Sequence, residues 1–510
     1  MTKKTGPIAL PSLGMALTPI VLTIGLLAIQ LFYYGDFTPH IPLALGAAIA
    51  ALFGWKRGYR WEQMEAGGFK LLHVAMPAVA TLIVVGMLIG VLIASGTVPT
   101  LIYYGLEIIS PQWFLAASMV MCAIVSLVVG SSWTTVGTVG LALMGIGIAL
   151  EIPVYWTAGA IVSGAFFGDK MSPLSDTTNL SPAVTETNIF DHIKNMLPTT
   201  VPAMLIALAI YAWAGGADHA GANSLERITS IREGLDATFQ LGFWQLIPLA
   251  IILGLAFMKV APIPALFAAT FVGGVIAVLT QGASFHDVLT YAHSGFTVET
   301  GVGPLDTLLN RGGVTSMTWV VTLIIFALVF GGILEKTRCL EKVVKTITEK
   351  ARSFRALQTS AVLTPVFVNA IAGDVYLSIA LPGRMYVSAY DRLGYSRLNL
   401  SRAIEEGGTL VSPLIPWNVG GAFVITTLGL TVGDGDFSAL LYIPLAFACW
   451  LSPVLSIIYA QFGWFSHKAD PEKRPKSDQP AKLSSGDDDD EHGTMPADNE
   501  NMALDNSGTS

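Results

Sequence analysis

Long apolar runs separated by short polar segments restrict most strongly what this chain can fold into. Eight such runs occur, at 15–33, 39–54, 74–94, 197–214, 243–257, 262–280, 317–335 and 438–462. A helix that crosses a bilayer needs about 20 predominantly apolar residues, and most of these runs approach that length. Of the 510 residues, 53% are hydrophobic and 13% are charged, whereas about a quarter are charged in soluble domains. The sequence therefore predicts an all-α polytopic membrane protein.

The distribution of lysine and arginine predicts the orientation of the chain, because cytoplasmic loops carry an excess of these residues. The N-terminus and the loop after the second run are basic, whereas 34–38 and 95–110 contain no Lys or Arg. In the second half the order is reversed, since 281–316 carries one basic residue and 335–355 carries seven. This reversal predicts two inverted-topology repeats, with both termini cytoplasmic. The segment 335–355 also has apolar residues at helical spacing, which predicts an interfacial helix that touches anionic lipid.

A short sequence echo supports the repeat. Gly168 and Ser172-Pro173-Leu174 recur 240 residues later as Gly408 and Ser412-Pro413-Leu414. Each copy follows a second interrupted apolar region, at 128–147 and at 367–383. We therefore expect each repeat to contain one re-entrant hairpin with a polar tip and one broken transmembrane helix. The predicted boundaries are a cytoplasmic N-terminus at 1–14, a first repeat at 15–214, an external linker at 215–240, a second repeat at 241–465 and a disordered acidic cytoplasmic tail at 466–510.

Residues 168–179, GDKMSPLSDTTN, place two carboxylates and several hydroxyl groups directly after an apolar run. Unwound backbone at membrane depth must line a cavity or be buried in protein, because its unpaired groups cost several kcal/mol each in hydrocarbon. Pro173 ends the helix, and oxygen-rich surroundings of this kind suit a small hard cation, here a monovalent one. The predicted sodium and proton site is formed by Asp176, Ser131, Thr134, Thr177 and Asn179, with Asp374 and Asn418 completing it from the second half.

The predicted mechanism is competition between sodium and a proton at one carboxylate. Bound sodium needs the ionised form of Asp176, whereas removal of water favours the neutral acid. Protonation would therefore displace the cation, and one site would serve both ions in turn.

Several acidic residues also have a structural interpretation. Asp169 is either a proton carrier or an ion-pair partner of the adjacent Lys170. Asp374 either contributes to the ion site or caps the returning helix of the second hairpin. Glu405 and Glu406 are either transport residues or solvated residues at the end of a helix. The sequence leaves these alternatives open.

Four segments resemble the NhaC family of sodium/proton antiporters: GSSWTTVGTVG at 130–140, SGAFFGDKMSPLSDTTNLSPAV at 163–184, GDVYLSIALPGRMY at 373–386 and EEGGTLVSPLIPWN at 405–418. The resemblance covers about residues 15–465. It implies antiport in the bacterial inner membrane, together with the inverted repeats and elevator-like motion of the larger ion-transporter superfamily. Members that exchange malate for lactate while carrying protons and sodium leave a carboxylate exchanger as the alternative.

Other classes of function are less consistent with the sequence. It contains no GxSxG or HExxH motif, and its eight histidines form no group with metal-ligand spacing. We therefore expect no enzyme and no cofactor beyond the transported sodium ion. A channel would favour a short repeated filter over two halves with intramembrane carboxylates. The expected partners are Na⁺, H⁺, the lipid bilayer and, in the alternative, a small carboxylate; no nucleic acid is expected, and a homodimer stays open.

Overall fold

The chain forms a bundle of helices in a computed structural model that describes residues 8–216, 224–301, 303–430 and 436–469. The predicted acidic tail from 470 onward lies outside the described residues, as do 1–7 and 217–223 of the predicted N-terminus and linker. Eight described helices are long and apolar enough to cross a membrane, or up to ten if each of two bent pairs is one span. The prediction of an all-α polytopic membrane protein is confirmed.

The first part of the chain forms a series of helices joined mostly by short turns. Their bounds are α1 Leu13–Ala28, α2 His40–Lys56, α3 Trp61–Ala94, α4 Thr97–Ile108, α5 Phe114–Val129, α6 Ser132–Thr135, α7 Leu141–Ala149, α8 Val154–Met171, α9 Asp176–Thr185, α10 Ile189–Gly216 and α11 Ser224–Thr238. One π-helical segment, Ile29–Tyr33, extends α1, and another, Val136–Gly140, joins α6 to α7.

The second part of the chain continues in the same way. Its helices are α12 Ile247–Phe257, α13 Pro262–Gln281, α14 Phe285–Ser294, α15 Gly303–Leu309, α16 Gly313–Ser316, α17 Thr318–Lys336, α18 Cys339–Lys350, α19 Phe354–Ala372, α20 Val375–Leu393, α21 Arg397–Gly408, α22 Val419–Leu428, α23 Tyr442–Leu445 and α24 Phe447–Phe462. Short 3₁₀ turns occur at Pro111–Trp113, Phe243–Leu246, Ser412–Leu414 and Ser438–Leu441.

All eight apolar runs in the sequence coincide with helices, but two regions between them differ from the prediction. The segment 95–110, predicted as a loop, is mostly the helix α4. Its buried residues Val98, Ile102 and Leu106 recur every four positions, so they share one face that packs against the protein. The third span begins at Trp61, well before residue 74, because its first turn is polar and Oε1 of Gln63 accepts a hydrogen bond of 3.0 Å from the backbone N–H of Arg60.

Two helix–turn–helix units occupy the regions predicted as hairpins. One consists of α5, α6 and α7 with its turn at Gly130-Ser131, and the other of α19 and α20 with its turn at Gly373-Asp374. Both glycines have left-handed φ values, 71° and 64°, and the residue after each glycine caps the next helix. The predicted breaks are also present, between α8 and α9 and between α21 and α22. The inverted relation of the two halves stays a prediction.

Glycines bring each interrupted helix against the first arm of a helix–turn–helix unit. A Cβ atom at Gly164 or Gly168 of α8 would collide with carbonyl oxygens of α5. Likewise, a Cβ atom at Gly407 of α21 would collide with the carbonyl oxygen of Val362 in α19. Because only glycine permits this approach, each break lies directly beside the tip of a unit.

The basic segment 335–355 forms the amphipathic helix α18. Its apolar residues Leu340, Val343 and Val344 are buried against the protein rather than facing outward. Contact of this helix with anionic lipid stays a prediction.

Candidate cation site

The tip of the first unit lies against the break between α8 and α9. Gly130 ends α5, and a Cβ atom there would collide with Leu174 in the break. Ser131 caps α6, because its hydroxyl oxygen accepts hydrogen bonds of 3.2 Å from both the backbone N–H and the hydroxyl group of Thr134. The predicted ligand Thr134 therefore supports the tip.

The break itself is satisfied by nearby hydroxyl and amide groups. The hydroxyl group of Thr178 lies 3.2 Å from the carbonyl oxygen of Asp169 and 3.0 Å from that of Lys170, so it satisfies the last turn of α8. The side-chain amide of Asn179 donates a hydrogen bond of 2.9 Å to the carbonyl oxygen of Pro173. Ser175 caps α9. These contacts pair the backbone carbonyl oxygens of Asp169, Lys170 and Pro173, which the end of the helix would otherwise leave free.

A cavity of about 370 Å³ opens beside this break. It brings together polar residues from both halves of the chain. The polar side chains in its lining are those of Thr81, Ser131, Ser132, Trp133, Asp169, Asp176, Thr177, Tyr376, Thr409 and Ser412. Of the predicted site residues, Ser131, Asp169, Asp176 and Thr177 line the cavity, whereas Thr134, Asn179, Asp374 and Asn418 do not.

Asp169 is the buried carboxylate of the cavity, with 6% of its surface exposed. Its Oδ2 accepts a hydrogen bond of 2.6 Å from the hydroxyl group of Ser132. Its Oδ1 has no hydrogen-bond partner among the described residues. A buried carboxylate oxygen without a partner is costly unless it is protonated or meets a cation.

Asp176 is the second carboxylate of the cavity and is exposed. Its Oδ1 accepts a hydrogen bond of 2.8 Å from the backbone N–H of Thr177. Its Oδ2 accepts a hydrogen bond from the hydroxyl group of Tyr376 in the other half. Asp169 and Asp176 both line the cavity. Two neighbouring carboxylates attract a cation or a shared proton, because both cannot ionise freely side by side.

The second predicted half-site has a different character. Asp374 is 3% exposed and caps α20, because its Oδ1 accepts a hydrogen bond of 2.7 Å from the backbone N–H of Leu377. The amide of Asn418 is fully buried, accepting from Ser412 at 2.5 Å and donating to the side-chain oxygen of Asn369 at 3.0 Å. The geometry therefore agrees with the capping alternative for Asp374, and its ion-binding role stays a prediction.

Two of the alternatives left open by the sequence are wrong. Lys170 does not pair with Asp169, since its Nζ lies 3.5 Å from Oε1 of Glu406 and 3.1 Å from the hydroxyl group of Ser452. Consecutive helical residues point in different directions, so Asp169 and Lys170 face different neighbours. Glu405 and Glu406 are not solvated, because both are 0% exposed.

Sequence reasoning missed Ser132, Tyr376, Thr409 and Ser412 as cavity residues. Ser412 had a signal in the Ser-Pro-Leu echo, and Ser132 directly follows the predicted ligand Ser131. Tyr376 and Thr409 reach the cavity through contacts between distant segments. Within the described residues, no group of three or more His, Cys, Asp or Glu side chains is arranged to hold a metal ion. The available chemistry is that of paired carboxylates and hydroxyl oxygens, which suits a monovalent cation or a proton.

The sequence of the chain matches a known protein family. The profile of the Na⁺/H⁺ antiporter family matches residues 9–178 and 164–464. The chain is 38% identical over 462 residues to the Na⁺/H⁺ antiporter NhaC of Alkalihalophilus pseudofirmus, which covers 90% of this chain and 96% of that protein.

Two further relatives have other transport activities in their names. The chain is 36% identical over 471 residues to the arginine/ornithine antiporter ArcD of Halobacterium salinarum, covering 91% of this chain and 95% of that protein. It is 36% identical over 450 residues to the malate-2H⁺/Na⁺-lactate antiporter of Bacillus subtilis, and the match covers 88% of this chain and 94% of that protein. Because the family profile spans nearly all of the described helices, the chain belongs to the Na⁺/H⁺ antiporter family.

Proposed function

We propose that this protein exchanges sodium ions for protons across a membrane at the cavity beside the break between α8 and α9. The observation that carries the proposal is Asp169, a buried carboxylate whose Oδ1 faces no hydrogen-bond partner among the described residues. The relation to the NhaC antiporter of Alkalihalophilus pseudofirmus supports the choice of ions.

The two ions compete because they need opposite states of the same carboxylates. Sodium binds to ionised Asp169 and Asp176, and the hydroxyl oxygens of Ser131, Ser132 and Thr177 are further ligands. A proton neutralises the carboxylate, removes the attraction and releases the cation. Alternate loading with sodium and proton couples the two gradients.

The cavity chemistry favours a cation over an organic anion. Its lining contains two carboxylates and no Lys, Arg or His from the parts of the chain that the structure describes. Malate or lactate would meet negative charge there without a basic partner, and like charges in close contact repel. The carboxylate exchanger suggested by the Bacillus subtilis relative is therefore the weaker candidate.

We also propose a bacterial inner-membrane location with both termini in the cytoplasm. The lysine-rich start of the chain and the basic helix α18 support this orientation, since positive charge is concentrated on the cytoplasmic side. Cysteine labelling in intact cells tests it. A reagent that cannot cross the membrane should leave a cysteine at position 345 unlabelled.

Purified protein in liposomes that contain a pH-sensitive dye tests the transport activity. With an acidic interior, external sodium should cause rapid alkalinisation, whereas choline should not, and added malate or lactate should leave the rate unchanged. Asp176→Asn should abolish this response because an amide can neither lose a proton nor supply full charge. Asp176→Glu should retain exchange with a shifted pH optimum.

The matched control is Asp191→Asn, an exposed carboxylate at the start of α10 that lies outside the cavity. It should keep wild-type exchange. Alkalinisation that depends on malate or lactate would replace the proposed function with carboxylate exchange. Wild-type exchange by Asp176→Asn would remove Asp176 from the coupling site.

A further inference from the structure

Glu405 and Glu406 are consecutive residues of α21 with different partners. Both are 0% exposed. Glu406 lies 3.5 Å from the ammonium group of Lys170 and accepts a hydrogen bond from Thr199. Glu405 instead accepts hydrogen bonds from the hydroxyl groups of Ser181 and Thr409, the latter at 2.7 Å. No basic side chain of the described residues lies within ion-pair distance of Glu405.

This difference in partners determines which glutamate can change its protonation state. The positive charge of Lys170, 3.5 Å from Oε1 of Glu406, favours the ionised form of Glu406. Oε2 of Glu406 has no hydrogen-bond partner among the described residues. A hydroxyl group both donates and accepts, so Ser181 and Thr409 can satisfy Glu405 whether it is ionised or neutral. Burial without a direct counter-ion makes the neutral form accessible to Glu405.

Glu405 is also connected to the cavity. Its partner Thr409 lines the cavity. Its other partner, Ser181, lies on α9, the helix that begins with Asp176. A proton can therefore pass between the cavity and Glu405 by way of hydroxyl groups.

Buried carboxylates outnumber buried cations among the described residues. The carboxylates are Asp169, Asp374, Glu405 and Glu406, and the cations are Lys170 and Arg402. Arg402 is turned toward backbone carbonyl oxygens, with contacts of 3.3 Å. The buried titratable and charged groups on α21 and on the helices in contact with it are Arg402 and Glu406 on α21, Asp169 and Lys170 on α8, His192 on α10 and Asp374, Tyr386 and Tyr390 on α20.

We propose that Glu405 is a second proton-carrying residue of the exchange, distinct from the carboxylates of the cavity. It takes up a proton from the cavity through Thr409 and releases it when sodium loads, so it adds one proton to the number exchanged per sodium ion. This inference rests on the proposed sodium/proton antiport.

The number of protons exchanged per sodium ion tests the proposal. In liposomes with a fixed sodium gradient, the pH gradient that stops net flux is measured at a series of imposed membrane potentials. The ratio of protons to sodium should be lower by one in Glu405→Gln than in the wild type. A structural role would change the rate and leave the ratio unchanged, and that result overturns the proposal.

Glu406→Gln is the matched control because it lies on the same helix with the same burial. It should keep the wild-type ratio and unfold at a lower temperature, since it leaves Lys170 without its ionic partner. A ratio lowered equally in both variants would overturn the assignment to Glu405. Absence of any sodium-dependent proton flux in the wild type would instead overturn the proposed function itself, and the proposal with it.

A second variant decides the matter if Glu405→Gln is inactive or does not fold. Ser181→Ala removes one donor to ionised Glu405, so the protonated form should persist to higher pH and the pH profile of exchange should move in the alkaline direction. A profile identical to that of the wild type overturns the proposal.

Discussion

The two helix breaks differ in length and in the residues that follow the gap, since the first gap spans 172–175 and the second spans 409–418. In the first break, Asp169 precedes the gap and Asp176 follows it, and both line the cavity. In the second break, the capping residue is Asn418, whose amide is buried and hydrogen-bonded at both its oxygen and its nitrogen. At the first break the carboxylates line the cavity, and one of their oxygens has no partner among the described residues. At the second break the capping amide is satisfied, and the carboxylates Glu405 and Glu406 before the gap lie outside the cavity lining.

This difference separates an ion-binding role from a supporting role. A satisfied amide network fixes one arrangement of its helices. A carboxylate with a free oxygen gains a partner only from a cation or a proton. The second half still contributes to the cavity, through Tyr376, Thr409 and Ser412, but with hydroxyl groups rather than charge.

The largest effect is expected from Asp169→Asn, which replaces the buried carboxylate of the first break with an amide. Exchange should fall below detection in the liposome assay because the amide cannot ionise. Folding should be retained, since the amide oxygen can still accept the hydrogen bond from Ser132. Thermal unfolding in detergent would check this. Substantial exchange by this variant would remove the functional difference between the two breaks.

Asn418→Asp makes the opposite change and should mainly affect stability. The substitution replaces the amide donor that contacts Asn369 with a carboxylate oxygen, so two acceptors would face each other without solvent. We expect a loss of about 3 kcal/mol in the free energy of unfolding. Denaturation of the purified protein measures it. An equally stable variant would show that the second break tolerates charge as the first does.

Asp374 separates capping from ion binding in the second half. Asp374→Asn should keep exchange and stability close to wild type, because asparagine is as good an N-cap as aspartate. Asp374→Ala should lower stability by about 1 kcal/mol through loss of the bond to Leu377. Parallel transport and unfolding measurements distinguish the two roles. Loss of exchange in a stable Asp374→Asn protein would restore Asp374 to the ion site.

The smallest effect is expected at Glu341, a carboxylate outside both breaks. Hydrogen bonds from the Arg338 guanidinium group lower the pKa of Glu341. Its stabilising contribution is therefore present above the unfolded pKa of about 4.3 and is lost as the pH falls through the lower folded value. Because the pair is partly exposed, Glu341→Gln should cost less than about 1 kcal/mol near neutral pH. Unfolding scans from neutral to acidic pH check this, and exchange should not change.

The sequence predicted the parts of the fold that depend on local pattern. The apolar runs identified the spans, and Gly130, Gly373 and Pro173 marked the turns and the first break, because these residues act on their own backbone. The helix α4 was missed because its apolar face is short and its packing partners are distant in the chain.

The candidate site was predicted only in part, for a similar reason. Asp169 and Asp176 belong to one short motif, so their neighbourhood follows from sequence order. The separation of Lys170 from Asp169 and its pairing with Glu406 depends on the packing of α8 against α21 and α24, which no local pattern specifies. The contact of Tyr376 with Asp176 has the same origin.

Release of protons on sodium binding tests the central claim most directly. Purified wild-type protein in a weakly buffered solution should acidify the medium when sodium is added, and the amount released should decline at alkaline pH, where the carboxylates are already ionised. Asp169→Asn should abolish or strongly reduce this release, whereas Asp191→Asn should not change it. Sodium binding without proton release by the wild type at every pH would contradict competition at the first break.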